Sequence, residues 1–146
     1  MVYTSGVVKS IEHEETLEEL QDNKLALVCE KLELKPTDRL LDVGCGWGTL
    51  AAFAAKNYDC DVTGITLGKN QTKFGNDRIK DNGVTHDKAR ILCKDYREIP
   101  GGPGQYTKIV SLEMAEVRFE MYLLHSTSPL IGKSVSMWVF VAMVLS

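Results

Sequence analysis

From Arg39 to Gly48 the chain reads Arg-Leu-Leu-Asp-Val-Gly-Cys-Gly-Trp-Gly, and no other stretch restricts the fold as tightly. An apolar run ends in an acid, glycines then alternate, and small residues continue from Thr49 to Ala55. This pattern predicts a buried strand turning sharply into a helix. The glycines permit positive φ and keep Cβ atoms away from anything that approaches the turn. The helix behind them presents free N–H groups and a partial positive charge. Dinucleotide sites use such a turn with the spacing G-x-G-x-x-G and seat a pyrophosphate on the helix N-terminus. Here the spacing is G-x-G-x-G, and the charge of Asp42 would oppose a pyrophosphate. S-adenosylmethionine has no phosphate; its ammonium and sulfonium are groups that an aspartate attracts. The residues favour S-adenosylmethionine over a nucleotide, with a merely tight strand–helix turn as the plain alternative.

The rest of the chain supplies strands and helices in alternation. Thr16-Leu17-Glu18-Glu19 is a capping box, and Leu17, Leu20, Leu25, Val28 and Leu32 follow as an apolar helical stripe. Glu12, Glu14, Glu15, Glu18 and Glu19 place favourable charge around that helix start, and His13 sits in the loop before it. Lys35 to Asp38 breaks the helix. A helix over Ala51–Lys56 is expected after the glycine turn, then a strand over Asp61–Thr66 and a helix over Lys69–Lys80. Arg90–Cys93 reads as a third strand ending at Asp95-Tyr96, and Tyr106–Leu112 as a fourth. Alternation of this kind predicts an α/β fold with a doubly wound, mostly parallel sheet and right-handed crossovers. Ligands in such sheets bind beyond the carboxyl ends of the strands. Asp42–Gly48, Thr66–Gln71, Asp95-Tyr96 and Ser111–Glu116 all fall at those ends.

Composition bounds the alternatives. The chain has 146 residues and a net charge of −3, which fits one domain and gives no sign of a nucleic-acid partner. Cys29, Cys45, Cys60 and Cys93 form no C-x-x-C pair and no metal spacing, so reduced thiols and no metal are expected. Val2 to Ser10 lacks the apolar core of a signal peptide, and the apolar run Val135–Leu145 is shorter than the ~20 residues of a membrane helix. A cytoplasmic location, or a peripheral one on the cytoplasmic side of a membrane, is expected. Past residue 116 the composition changes abruptly, since only Arg118, Glu120 and Lys133 carry charge there. The expected division is therefore residues 1–116 as part of a domain and residues 117–146 as an unrelated apolar tail. Val135–Leu145 is either one buried strand or an unpaired tail prone to aggregation.

With the strand ends assembled, the chain resembles the cyclopropane-fatty-acyl-phospholipid synthase family of S-adenosylmethionine-dependent lipid methyltransferases, and most of all its fungal sphingolipid C9-methyltransferase branch. The resemblance rests on Tyr3-Thr4-Ser5, Thr16 to Gln21, Leu41 to Gly48, Gly64-Ile65-Thr66-Leu67 with Gln71, Asp95-Tyr96-Arg97, and Ile109 to Glu116. It implies a Rossmann-like methyltransferase fold, incomplete at the C-terminus. It also implies cofactor contacts: Gly44, Gly46, Trp47 and Gly48 on the methionyl part, with Asp42 near the ammonium; Thr66, Leu67 and Gln71 on the ribose; Asp95 and Tyr96 at the adenine; Tyr3 and Thr4 closing over the cofactor. Glu116 matches the family glutamate that helps hold a bicarbonate base and faces the developing cation.

The resemblance implies addition of a methyl group to an unsaturated lipid chain. The alkene attacks the sulfonium methyl, a carbocation forms at the neighbouring carbon, and a base removes a proton. The product is a cyclopropane or a methyl-branched alkene. The family reads Glu-His-Val-Gly where this chain reads Glu116-Val117-Arg118-Phe119, and the family's later histidine and tyrosine are absent. His125 comes too soon after Glu116 to stand in for that histidine. Three functions follow from these observations: an inactive fragment of a lipid methyltransferase, a small methyltransferase with another acceptor, or a non-catalytic cofactor-binding protein. Peripheral contact with a membrane accompanies the lipid acceptor, and oligomeric state is left open.

Overall fold

A computed structural model describes residues 6–9, 12, 14–101, 104–112 and 136–140. In chain order they form α1 (Leu17–Lys31), β1 (Arg39–Val43), α2 (Thr49–Tyr58), β2 (Asp61–Thr66), α3 (Lys69–Asp81), β3 (Ala89–Cys93), a 3-10 turn (Tyr96–Glu98), β4 (Lys108–Leu112) and β5 (Ser136–Phe140). The sheet order is β3-β2-β1-β4-β5, and every pairing is parallel. The order reverses between β1 and β4, which is where doubly wound sheets open a crevice. Tyr3, Thr4, Ser5, His13, Glu116 and His125, named above on sequence grounds, lie outside the described residues, as does most of 117–146.

The sheet carries a core on each face. Leu40, Val62, Ile91 and Val110 alternate toward the helices and meet Val28, Leu32, Leu50, Ala51, Ala54 and Ala55. The alanines of α2 let that helix lie close on the strands, as small side chains must for helix–sheet contact. Leu41, Val43, Ile65 and Ile109 point to the opposite face and meet Leu92, Tyr96, Ile99 and Tyr106. Both β1 and β2 are thus buried on two sides, which explains their unbroken apolar character.

Several expectations hold in detail. Thr16 caps α1 by accepting from the Glu19 N–H, and the Glu19 carboxylate accepts from the Thr16 N–H at 2.7 Å, so the capping box is complete. Other expectations need correction. Leu17 is 66% exposed: the packed stripe is Leu25, Val28, Cys29 and Leu32, and the first turn of α1 reaches past it. The fourth strand begins at Lys108 rather than Tyr106, because Tyr106 turns inward to the second core while Thr107 N–H donates to the Arg39 carbonyl. Of the two readings of Val135–Leu145, the paired strand is the one found: Ser136–Phe140 runs beside β4 in the register Lys108↔Ser136 to Leu112↔Phe140.

Candidate cofactor site at the strand ends

The glycine turn behaves as its spacing requires. Gly44, Gly46 and Gly48 have φ of 75°, 53° and 73°. Gly44 and Cys45 N–H groups both donate to the Ile65 carbonyl at 3.0 Å, which ties the turn to the end of β2. The turn closes with Gly48 N–H donating to the Cys45 carbonyl at 2.9 Å. The two later glycines have different duties. A Cβ on Gly46 would meet nothing within 4 Å, so that backbone is open to an approaching group. A Cβ on Gly48 would lie 3.1 Å from Gly75 Cα, so Gly48 is small for the sake of helix packing. Trp47 is partly exposed and sets its ring edge-on to Phe74, 5.3 Å between centroids.

At the end of β2 the side chains form one polar unit. Thr66 Oγ1 donates to Gln71 Oε1 at 2.7 Å and accepts from the Gly68 N–H at 3.4 Å. Gln71 therefore folds back over Gly68, where a Cβ would stand 2.5 Å from its Oε1. No acid occupies this strand end, and the hydroxyl–amide pair offers neutral hydrogen-bonding groups instead.

At the end of β3, Asp95 accepts from the Arg97 backbone N–H at 2.9 Å and so caps the 3-10 turn. The Arg97 guanidinium grips both oxygens of the same carboxylate, Nε to Oδ1 at 2.8 Å and Nη2 to Oδ2 at 2.9 Å. These charge-assisted bonds hold the Asp95 carboxyl down to about 2. Asp95 is thus both a cap and a pocket residue, so the two readings of this position are compatible.

Asp42 shares the alternation of Leu40, whose side chain faces the helices. Burial raises the thiols of Cys29 on α1 and Cys45 in the turn, and the nearby Asp42 charge adds to it. Asp42 is only 3% exposed, and burial pushes its carboxyl up to about 7.

These strand ends enclose a cavity of about 260 Å³, lined by Val43, Gly44, Ile65, Thr66, Leu67, Lys94, Asp95 and Tyr96. Gly44, Thr66, Leu67, Asp95 and Tyr96 were named from the sequence. Gly46, Trp47, Gly48, Gln71 and Asp42 do not line the cavity. Val43, Ile65 and Lys94 are the lining residues missed. Their signal was available: each immediately flanks a flagged strand end, and a neighbour in an extended segment reaches the other face. A larger groove of about 700 Å³ runs between α1, α2 and α3, with Leu25, Phe53, Phe74 and Arg78 on its walls. It is on the helical face and holds none of the flagged residues. Among the described residues no His/Cys/Asp/Glu cluster could hold a metal ion, all four cysteines are free, and no helix is long and apolar enough to cross a membrane.

The sequence and the fold have counterparts in known proteins. Sphingolipid C9-methyltransferase A of Emericella nidulans is 60% identical over 116 residues, which is 80% of this chain and 22% of that protein. Cyclopropane-fatty-acyl-phospholipid synthase of Escherichia coli K12 is 44% identical over 102 residues, covering 70% of this chain and 25% of the relative. The chain thus spans less than a third of the length of either relative. Among solved structures, mycolic acid cyclopropane synthase CmaA1 complexed with SAH and CTAB superposes with a TM-score of 0.74 at 28% identity, covering 94% of this chain and 47% of that one. The family model described as mycolic acid cyclopropane synthetase matches residues 1–127, past the boundary expected at Glu116. A match over so much of the chain, together with 60% identity over 116 residues to a relative, places the protein in the mycolic acid cyclopropane synthetase family.

Proposed function

We propose that this chain is the cofactor-binding part of an S-adenosylmethionine-dependent C-methyltransferase acting on an unsaturated lipid chain, the sphingolipid C9 position above all. The observation that carries the reading is the convergence of Gly44 from the glycine turn, Thr66 with Gln71 hydrogen-bonded behind it, and Asp95-Tyr96 on one cavity at the carboxyl ends of β1, β2 and β3. The fit to the cofactor is chemical. Open backbone at Gly46 suits a methionyl group, Thr66 and Gln71 suit ribose hydroxyls, and the Asp95 carboxylate beside Tyr96 suits an aminopurine. When bound, the cofactor supplies an electrophilic methyl group. The chain's own part is to orient that group and to keep water from the apolar walls formed by Val43, Ile65 and Leu67. Tyr3 and Thr4 are assigned to closing the cavity, Glu116 to holding the base, and residues 117–146 to a tail of separate origin. A bicarbonate base, a lipid acceptor reached at a membrane surface and a cytoplasmic-side location complete the proposal.

Titration calorimetry of the purified chain with S-adenosylmethionine tests it. Binding is expected, and Asp95→Ala should weaken it by about tenfold, in line with removal of a charged hydrogen-bond partner. Absence of any heat with a folded chain would sink the reading. With labelled methyl donor and an unsaturated glucosylceramide, the chain alone is expected to give no turnover, because it spans only 22% of its sphingolipid-methylating relative.

A second reading draws on β5. Its pairing with β4 extends the sheet to five strands, which favours a small methyltransferase with another acceptor. Methyl transfer to a small hydroxyl or amine acceptor, with none to lipid, would put that reading first.

A further inference from the structure

Arg97 stands outside the cavity yet touches Asp95 and Tyr96, two of the three residues that line it after β3. Its side chain is 74% exposed, against 22% for the Asp95 side chain it holds. The guanidinium carbon lies 5.7 Å from the centroid of the Tyr96 ring, so the same group rests over one pocket residue while gripping the other. The hydrogen-bond count on Asp95 is informative. Each carboxylate oxygen offers about two lone-pair sites. Oδ1 receives two donors, the Arg97 N–H and Nε, whereas Oδ2 receives only Nη2. Among the described residues this leaves one acceptor site, on Oδ2, and fixes the plane in which it lies. A carboxylate held so can take one N–H and cannot rotate to suit another pattern. A purine 6-amino group offers such a donor; a 6-oxo group presents a lone pair instead and meets repulsion.

Resting on the S-adenosylmethionine reading above, we propose that Arg97 is a positioning residue: it locks Asp95 through a two-pronged grip and so makes the cavity select a 6-aminopurine nucleoside over its 6-oxo counterpart. Charge alone would not do this. A lysine at position 97 would keep the positive charge but lose the planar fork that fixes the carboxylate. An exposed pair of this kind adds little to folding stability, so its removal leaves the chain folded.

The test is competitive binding of S-adenosylhomocysteine and S-inosylhomocysteine to the full chain, by calorimetry, for wild type, Arg97→Ala and Arg97→Lys, with a thermal melt of each variant. Wild type is expected to prefer the adenosyl ligand by about tenfold or more, as one charge-assisted hydrogen bond allows. Both variants are expected to narrow that preference to about threefold or less with unchanged melting. Full preference retained in Arg97→Ala overturns the proposal, as does full recovery in Arg97→Lys, which would make the effect one of charge. Equal weakening of both ligands with the preference intact overturns it too, since that would be general loosening of the wall. Adenosyl binding by wild type without any preference removes the selectivity while leaving the cofactor reading intact; no binding of either ligand removes the cofactor reading itself and the proposal with it.

Discussion

Asp42 illustrates how much one carboxylate can say at the residue scale. The residue before a glycine turn invites a role in contacting ligand, yet its side chain shares the buried, helix-facing side with Leu40. Burial raises its carboxyl from 3.8 to about 7. The sign of the pH effect follows. A raised pKa means that the folded state prefers the proton, so this contribution is fully present below about pH 4 and is lost as pH rises toward 7. Asparagine carries no such charge. Asp42→Asn should therefore gain stability relative to wild type between those limits, by on the order of 2–4 kcal/mol, measured by urea melts across the range. A difference that stays constant with pH would show that the folded protein already compensates the ionised carboxylate. The burial was legible in the apolar run around position 42. The face was not, because a strand residue's side depends on register, and one step moves it across the sheet. Arg97 was hidden for another reason: its grip on Asp95 exists only once residues 96–98 form a 3-10 turn.

At the scale of elements, the first four strands and the three helices were readable because most end in strong punctuation. The Thr16 capping box, the Lys35-Pro36 break, the glycine turn and Asp95 all mark boundaries, and β2 was found with the bounds expected. Boundaries drifted where punctuation was weak, as at Tyr106. The edge of β3 shows a device that no pattern foretells. Asn76 on α3 donates through Nδ2 to the Ile91 carbonyl at 2.9 Å and accepts through Oδ1 from the Ile91 N–H at 3.0 Å. The amide thus imitates a neighbouring strand at an edge that no other described strand pairs. Asn76→Ala should cost about 1–3 kcal/mol, because it orphans both backbone groups of a residue whose side chain is in the core. Faster amide exchange at Ile91, with β1 unaffected, is the accompanying signature. If exchange at Ile91 is unchanged, water already serves that edge and the amide is incidental.

The whole molecule depends on what covers the far side of β4. Composition set residues 117–146 apart, and nothing local in them specifies a partner. Residues 113–135 separate β4 from β5, more than the dozen that a parallel connection needs, so the pairing is a long-range event that local pattern could not reveal. With β5 present, β4 has a strand on each side, and its apolar core Ile109-Val110-Ser111-Leu112 carries no exposed row of backbone donors. A chain ending at Glu116 would expose that row, with Lys108 as the only charge in the strand. Edges of this composition invite pairing between copies. The shortened chain is expected to elute as large aggregates on size exclusion, whereas the full chain retains a discrete species. In the full chain, amides of Ser136–Phe140 should exchange more slowly than those of residues 6–9, though faster than those of β1, which lies between two strands in the sheet interior. A shortened chain that stays soluble and melts at the same temperature would show that β5 adds nothing, and the five-strand argument for a small, self-sufficient methyltransferase would go with it.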